Sequence, residues 1–297
     1  MNYHPNSAAA TLSAARGGRH VRFHEYLAIL IGRHRRDWEP SWIIMAFFDG
    51  IRRRAEQLGY QVETLWLYEL GMTPAKAARF LEARNIRGLV LLPESYRELP
   101  LEYKELLVSR SCAVVGGLPE NLPFHFANND LFATAAAATG KALELGYRRP
   151  GFAVLAKIDQ LVSRRYSGGF LSVQTEISGA DRIPVCFLED FSPAAFLRWY
   201  REHRPDVIIT HNRRVAVRQW LKPLGLSIPR DAGWISLDVA PGDHRLAGMD
   251  HRSSVIGGAA LEIVVNQIQR AEFGVPEFQR GVFIEGVWKN GPTVLAR

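Results

Sequence analysis

Residues 130–156 read DLFATAAAATGKALELGYRRPGFAVLA. A helix-length segment over about 130–146 ends at Gly146, which follows a leucine where a left-handed C-terminal residue is wanted. A continuous apolar run, Gly151–Ala156, comes next. Uninterrupted apolar runs of this length read as strands covered on both faces, which is the mark of a parallel sheet. Helix followed by buried strand is the unit from which α/β folds are assembled.

The same unit recurs outward in both directions. Strands are expected at Glu25–Ile31, Gln61–Leu67, Gly88–Pro93, Cys112–Gly116, Ile183–Leu188, Asp206–Thr210 and Gly233–Asp238. Helical segments fall at about 43–58, 73–84, 192–204, 213–222 and 253–272. Thr73-Pro74 and Ser192-Pro193 each place a cap residue before a first-turn proline, and Gly59 and Gly225 repeat the stop signal of Gly146. Eight strands also suit a closed barrel. The pattern repeats instead as two halves joined near 127–130, which points to an α/β architecture of two doubly wound parallel-sheet subdomains.

The chain has 297 residues and a formal charge of +7. That length allows about two domains and a core large enough to need no disulfides. The basic excess is concentrated at the start, where residues 1–24 carry Arg16, Arg19, Arg22 and three histidines but no acid. Within it, Asn6 precedes a short alanine-rich stretch that stops at Gly17-Gly18. A helix that short is marginal alone in water and orders against a partner, for which flanking arginines favour an anion. A frayed tail fits the composition as well. No run approaches the ~20 apolar residues of a membrane span, and the N-terminus lacks the apolar centre of a secretory signal, so a cytoplasmic protein with no membrane partner is expected. Cys112 and Cys186 both lie in strand-like apolar runs and read as buried thiols.

Several motifs carry a family resemblance. Tyr3-His4-Pro5-Asn6 with Ala9 and Leu12 resembles the hinge segment of the lactose-repressor/galactose-repressor (LacI/GalR) transcription regulators, with Ala10 where that family has Arg. Ala138-Thr139 with Leu143–Arg149 resembles its Ala-Thr…Leu-Gly-His-Arg-Arg stretch, and Gly225–Asp231 with Leu237-Asp238 resembles its Gly-x-x-Val-Pro-x-Asp…Phe-Asp. The likeness spans essentially the whole chain. It implies a type I periplasmic-binding-protein-like fold, with a hinge at 1–22, an N-terminal subdomain of 23–128 plus 250–275 and a C-terminal subdomain of 129–249 plus 276–297. It further implies a repressor-like homodimer whose DNA binding is modulated by a small-molecule effector, a sugar or related metabolite, held in an inter-subdomain cleft. Family members begin with a helix-turn-helix that reads the major groove; this sequence starts at the hinge, either by truncation or by loss of the reader. Hinge residues Asn6, Ala9 and Leu12 would contact DNA, Leu12 as a minor-groove wedge.

The resemblance also marks an effector site. Asp238 matches an acid that accepts hydrogen bonds from effector hydroxyls, and Asn212 matches an effector-contacting amide, although Arg213 replaces the Asp that follows. Phe191 falls where some members present an aromatic platform, with packing at a helix entry as the other reading. Tyr166 occupies the place of an effector-binding Arg, Ser41 and Trp42 replace Asn-Pro, and His251 replaces a frequent Gln. Glu94 follows the third strand, at a strand end where open α/β sheets hold ligands. The basic run Arg33–Arg36 suits an anionic effector or a solvated loop, and helix 73–84 and segment 253–272 suit a dimer face or core packing. No hydrolase elbow, zinc-protease motif, phosphate loop or metal-spaced cysteine pair occurs, so neither catalysis nor a cofactor or metal is expected. A solute-binding protein of the same fold is the alternative, and it would need an export signal.

Overall fold

The computed structural model describes residues 25–92, 101–117, 123–211 and 216–297. The segment carrying Asn6, Ala9 and Leu12 lies outside them, as do Glu94 and Asn212. The chain forms two compact units. One comprises residues up to Ala127 with Ser254–Val282, the other Asn128–Ser253 with Phe283–Arg297. The chain therefore passes from one unit to the other three times.

Unit 1 contains β1 (Glu25–Ile31), α1 (Trp42–Gln57), β2 (Tyr60–Trp66), α2 (Pro74–Ala83), β3 (Gly88–Leu91), α3 (Lys104–Val108), β4 (Ser111–Val115) and β5 (His125–Asn129). Unit 2 adds α4 (Leu131–Glu144), β6 (Pro150–Leu155), α5 (Ala156–Leu161), α6 (Arg165–Gln174), β7 (Cys186–Leu188), α7 (Pro193–His203), β8 (Val207–Thr210), α8 (Val217–Leu221), β9 (Gly233–Ser236) and β10 (Ala247–Asp250). The long α9 (Ser253–Gln269) returns to unit 1, and β11 (Gly281–Ile284) and β12 (Val287–Lys289) close the two sheets. Strand order is β11-β5-β4-β3-β1-β2 in the first sheet and β12-β10-β9-β8-β6-β7 in the second. Pairing through β2-β1-β3-β4-β5 and β7-β6-β8-β9-β10 is parallel, and β12 runs antiparallel to β10. This is an α/β fold of two doubly wound sheets, and a single barrel is excluded.

Buried strands alternate between the two faces of their sheet. In the second sheet Phe152, Val154, Val207, Ile209 and Ile235 join α4 and α6 in one core, whereas Ala153, Ile208 and Trp234 join Phe196 and Trp220 in the other. Both cysteines are buried and unbridged. Burial pushes the Cys186 thiol up to about 12 and that of Cys112 higher still.

The boundary signals act as their chemistry requires. Thr73 Oγ1 accepts from Lys76 N at 3.2 Å, and Gly59, Gly146 and Gly225 all have left-handed φ. Ser192 differs from expectation. It precedes α7, but its side chain makes no cap bond; its own N–H donates to Asp190 Oδ1 at 2.9 Å, and that turn sets the helix entry. The segment 253–272 packs into unit 1. A Cβ on Gly257 would lie 2.3 Å from the Phe47 carbonyl oxygen, and one on Gly50 would lie 1.8 Å from that of Ser254, so α1 and α9 cross with their backbones in contact.

Candidate functional site

Three adjacent parallel strands of unit 2 end side by side. Thr210 of β8 pairs with Ser236 of β9, and Ser236 with Gly248 of β10. Just beyond these ends the chain carries His211, Asp238 and His251. Carboxyl ends of parallel strands are where open α/β sheets gather ligand groups, because the flanking helices leave the loops there uncovered. A fourth group, Tyr166, comes from the first turn of α6. Its ring centroid lies 4.8 Å from that of His211, the planes inclined by 52°.

The corner that delivers Tyr166 is strained and braced. Ser163 and Arg164 both have left-handed φ, 54° and 57°, which costs non-glycine residues on the order of 1 kcal/mol or more each. Asp159, 1% exposed, holds the corner from inside. Its Oδ1 accepts from Ser167 N at 3.0 Å, its Oδ2 accepts from the Ser167 hydroxyl at 2.6 Å, and its carbonyl accepts from Arg164 N at 2.7 Å. Behind the corner α6 rests directly on α4, since a Cβ on Gly169 would meet the Phe132 carbonyl oxygen at 2.2 Å. On the other side, Arg252 follows His251 with φ 55° and donates its N–H to Asp250 Oδ1 at 2.8 Å.

Low solvation governs the electrostatics. Burial pushes the His211 imidazole down to about 3, reinforced by His251, and the His251 imidazole down to about 4, against the opposing pull of a Leu237 backbone hydrogen bond and Asp250. Burial, then Asp238 and Asp159, holds the Tyr166 phenol well above its usual range. At neutral pH both imidazoles are uncharged and the phenol keeps its proton. His251 is 7% exposed and Ser253 1%. Both His251 Nε2 and Ser253 Oγ are buried with no hydrogen-bond partner among the described residues. The other ring nitrogen of His251 is engaged by the Leu237 backbone. A neutral imidazole donating there presents Nε2 as a bare acceptor. Buried polar atoms in this state are rare and mark a place for a further polar group.

The set contains a carboxylate, an imidazole acceptor and hydroxyls, which matches a ligand bearing several hydroxyl groups. Among the described residues no group of three or more His, Cys, Asp or Glu side chains could hold a metal ion.

Solved structures resemble the chain over almost its full length. A LacI transcriptional regulator of Bacillus cereus subsp. cytotoxis is 16% identical with a TM-score of 0.62, covering 92% of this chain and 99% of its own. The regulator CCPA of Weissella paramesenteroides with bound glucose is 11% identical with a TM-score of 0.64, covering 91% and 98%. A LacI-family regulator of Enterococcus faecium with bound ribose is 14% identical with a TM-score of 0.61, covering 92% and 99%. The fold is the one solved for LacI-family regulators. No protein-family model and no curated protein matches the sequence.

Of the residues singled out from sequence, Tyr166, Asp238 and His251 come together in this one group. Phe191 is placed elsewhere in unit 2. It is partly buried against the core that contains Phe196 and Trp220, distinct from the core that includes Tyr166. Ser41 and Trp42 belong to unit 1, where Ser41 caps α1 by accepting from Ile44 N at 3.5 Å and Trp42 opens the helix. Sequence reading assigned no role to His211 at its strand end, to Ser253 or to the Asp159–Ser167 brace. His211 had a usable signal, as it directly follows the buried run DVIIT.

Proposed function

We propose that this chain is the effector-binding part of a LacI-type transcription regulator and not an enzyme. A neutral, hydroxyl-rich effector, a sugar or related metabolite, sits at the strand ends of unit 2. Asp238 and His251 Nε2 accept its hydroxyl hydrogens, Tyr166 and Ser253 offer hydroxyls, and Asn212, Glu94, Ser41 and Trp42 remain candidate contacts. The observation that carries this reading is the buried, unmet acceptor of His251 beside a strand-end carboxylate. Solved relatives in fold that hold glucose or ribose support the ligand class.

His251 lies three residues before the passage of the chain from unit 2 into α9 of unit 1. Occupancy at His251 therefore acts on a covalent connection between units and biases the population that binds DNA. The regulator acts in the cytoplasm as a homodimer, with the hinge residues Asn6, Ala9 and Leu12 directed at DNA.

The test is a thermal-shift and calorimetric screen of neutral sugars, sugar acids, phosphorylated sugars and nucleobases. Neutral sugars should stabilise the protein, and the Asp238→Ala variant should lose the response. His211, Asp238, His251, Tyr166 and Ser253 supply a carboxylate and no cation, so a sugar acid should bind at least tenfold more weakly than its neutral parent. An undiminished shift in the Asp238 variant, or preference for the acid, overturns the reading.

A further inference from the structure

A second hollow lies wholly within unit 2, at the amino ends of its strands and so at the opposite end of the sheet from His211, Asp238 and His251. Leu143 and Gly146 lie at the end of α4, Arg148 leads into β6, and Glu176 and Ile177 follow α6. With Arg297 they line a cavity of about 610 Å³. That volume is the size of a small-molecule pocket. Its floor is fixed by hydrogen bonds. Asp206 Oδ2 accepts from Arg148 N at 2.7 Å and its Oδ1 from Arg149 N at 3.0 Å. Tyr147 holds residues 295–297 in place: its phenol oxygen accepts from Leu295 N at 3.0 Å, and the Arg297 guanidinium lies over its ring, 4.7 Å from the centroid. Gly146, with φ 91°, permits this closure, because a Cβ there would lie 2.4 Å from the Arg297 carbonyl oxygen.

Three charges on this wall are left over. Asp181, also on the lining, is met by Arg149 Nη1 at 3.1 Å, and the Arg149 guanidinium is spent on it and on the carbonyls of Ala180 and His203. Arg148, Arg297 and Glu176 form no ion pair among the described residues; Arg297 gives one donor to the Asp231 carbonyl at 3.5 Å and keeps the others. Guanidinium recognises a carboxylate through two parallel hydrogen bonds, and a carboxylate takes an ammonium through a charge-assisted bond. Two cations and one anion complement a ligand with two carboxylates and one ammonium, and the aliphatic side chains of Leu143 and Ile177 suit a short methylene stem. We propose that this hollow binds an acidic amino acid, one carboxylate on each of Arg148 and Arg297, its ammonium on Glu176 and its methylenes against Leu143 and Ile177.

The hollow shares no residue with the strand-end group, so either can fail alone. The test titrates the protein with L-glutamate, L-glutamine and glutarate, followed by calorimetry. Glutamate should bind, with glutamine, which lacks one carboxylate, and glutarate, which lacks the ammonium, each about tenfold weaker or more. Arg148→Gln should weaken glutamate by a similar factor. Glu176→Gln should bring glutamate and glutarate to within about twofold of each other, because the ammonium then has no charged partner. Lys141→Gln, which removes a cation of α4 that pairs with Glu144 outside the hollow, should leave glutamate binding as it is. Equal binding of glutamate and glutarate by the wild type, equal loss in the Arg148 and Lys141 variants, or no binding at millimolar concentration overturns the proposal.

Discussion

Replacing Asp159 by Ala tests the brace behind Tyr166. The carboxylate is 1% exposed and satisfies two donors of one residue, the Ser167 amide at 3.0 Å and the Ser167 hydroxyl at 2.6 Å. A hydrogen bond to a charged group contributes about 1.5–3 kcal/mol, and a buried amide stripped of its acceptor costs about 1–3 kcal/mol. Against this, removing a desolvated carboxylate relieves part of its own burial cost. The balance is a loss of about 3 kcal/mol, with the strained Ser163-Arg164 corner free to relax. Ser167→Ala keeps the amide bond and removes the hydroxyl, with its contacts to Asp159 Oδ2 at 2.6 Å and the Arg164 carbonyl at 3.3 Å, and should cost about 1.5 kcal/mol. Because both changes break the same contact, their effects should fall short of additive by about 1 kcal/mol or more. Urea unfolding of wild type, both single variants and the double variant measures every term. The two units need not unfold together, so the transition of unit 2 is followed separately. A loss below about 1 kcal/mol in Asp159→Ala, or strict additivity in the cycle, refutes the claim that this carboxylate holds the corner.

Neighbouring glycines of α9 should respond with opposite signs: Gly257→Ala drives a methyl to 2.3 Å from the Phe47 carbonyl oxygen and should destabilise by about 2 kcal/mol or more, whereas Gly258→Ala, whose nearest contact is 3.5 Å away, should stabilise by up to about 1 kcal/mol. Thermal melts of the two variants decide it, and a shift of the same sign in both defeats the close-crossing account. Acid should destabilise through the two buried imidazoles. Their folded values of about 3 and about 4 lie below the unfolded value of 6.5, so their contribution is complete above pH 6.5 and is lost as pH falls from there toward 4, by about 1.4 kcal/mol per pH unit for each. The urea midpoint of the His211→Gln, His251→Gln double variant should be less acid-sensitive than that of wild type over that interval, and parallel profiles count against burial of the pair. Both cysteines should resist a thiol reagent in the native protein and react in denaturant, given burial and raised thiol values; labelling of the folded chain contradicts this.

The strands legible in the sequence were those dominated by apolar residues. β1 has the expected bounds, Glu25–Ile31, because a strand covered on both faces leaves an unbroken apolar record. β5, His125–Asn129, left none, although all five residues are buried. Two of its polar side chains are met by β11 and the residue before it, remote in sequence: His125 Nδ1 accepts from Arg280 N at 3.2 Å and Asn129 Nδ2 donates to the Ile284 carbonyl at 2.9 Å. Partners about 155 residues away cannot be inferred from local pattern. α6 was missed for a related reason. Gly168-Gly169 reads as a loop, and only the approach to Phe132 on α4 explains a glycine inside that helix. For the strand-end group, Asp238 and His251 came through the family resemblance. The neutrality of His251 and the brace under Tyr166 depend on three-dimensional neighbours that no motif records.

Departures from local rules gather around the same group, and their distribution favours function over accident. Among the described residues, non-glycine left-handed φ occurs at Asn85, Ser163, Arg164, Arg204, Arg252 and Ala271. Asn85, Arg204 and Ala271 sit where a helix ends, where one such residue is an ordinary stop, and Ser163 does the same for α5. Arg164 and Arg252 have no such role. The first is a second left-handed residue in succession, and the second follows a strand. One lies two residues before Tyr166 and the other directly after His251. Unmet buried atoms at His251 and Ser253 fall in the same short segment, whereas that of Gln267 Oε1 lies near the far end of α9. Strain and unsatisfied polarity each lower stability, and a chain keeps them where they arrange groups for a ligand. Their coincidence at one set of strand ends, while the apolar runs beneath keep to pattern, supports the ligand site proposed at that rim.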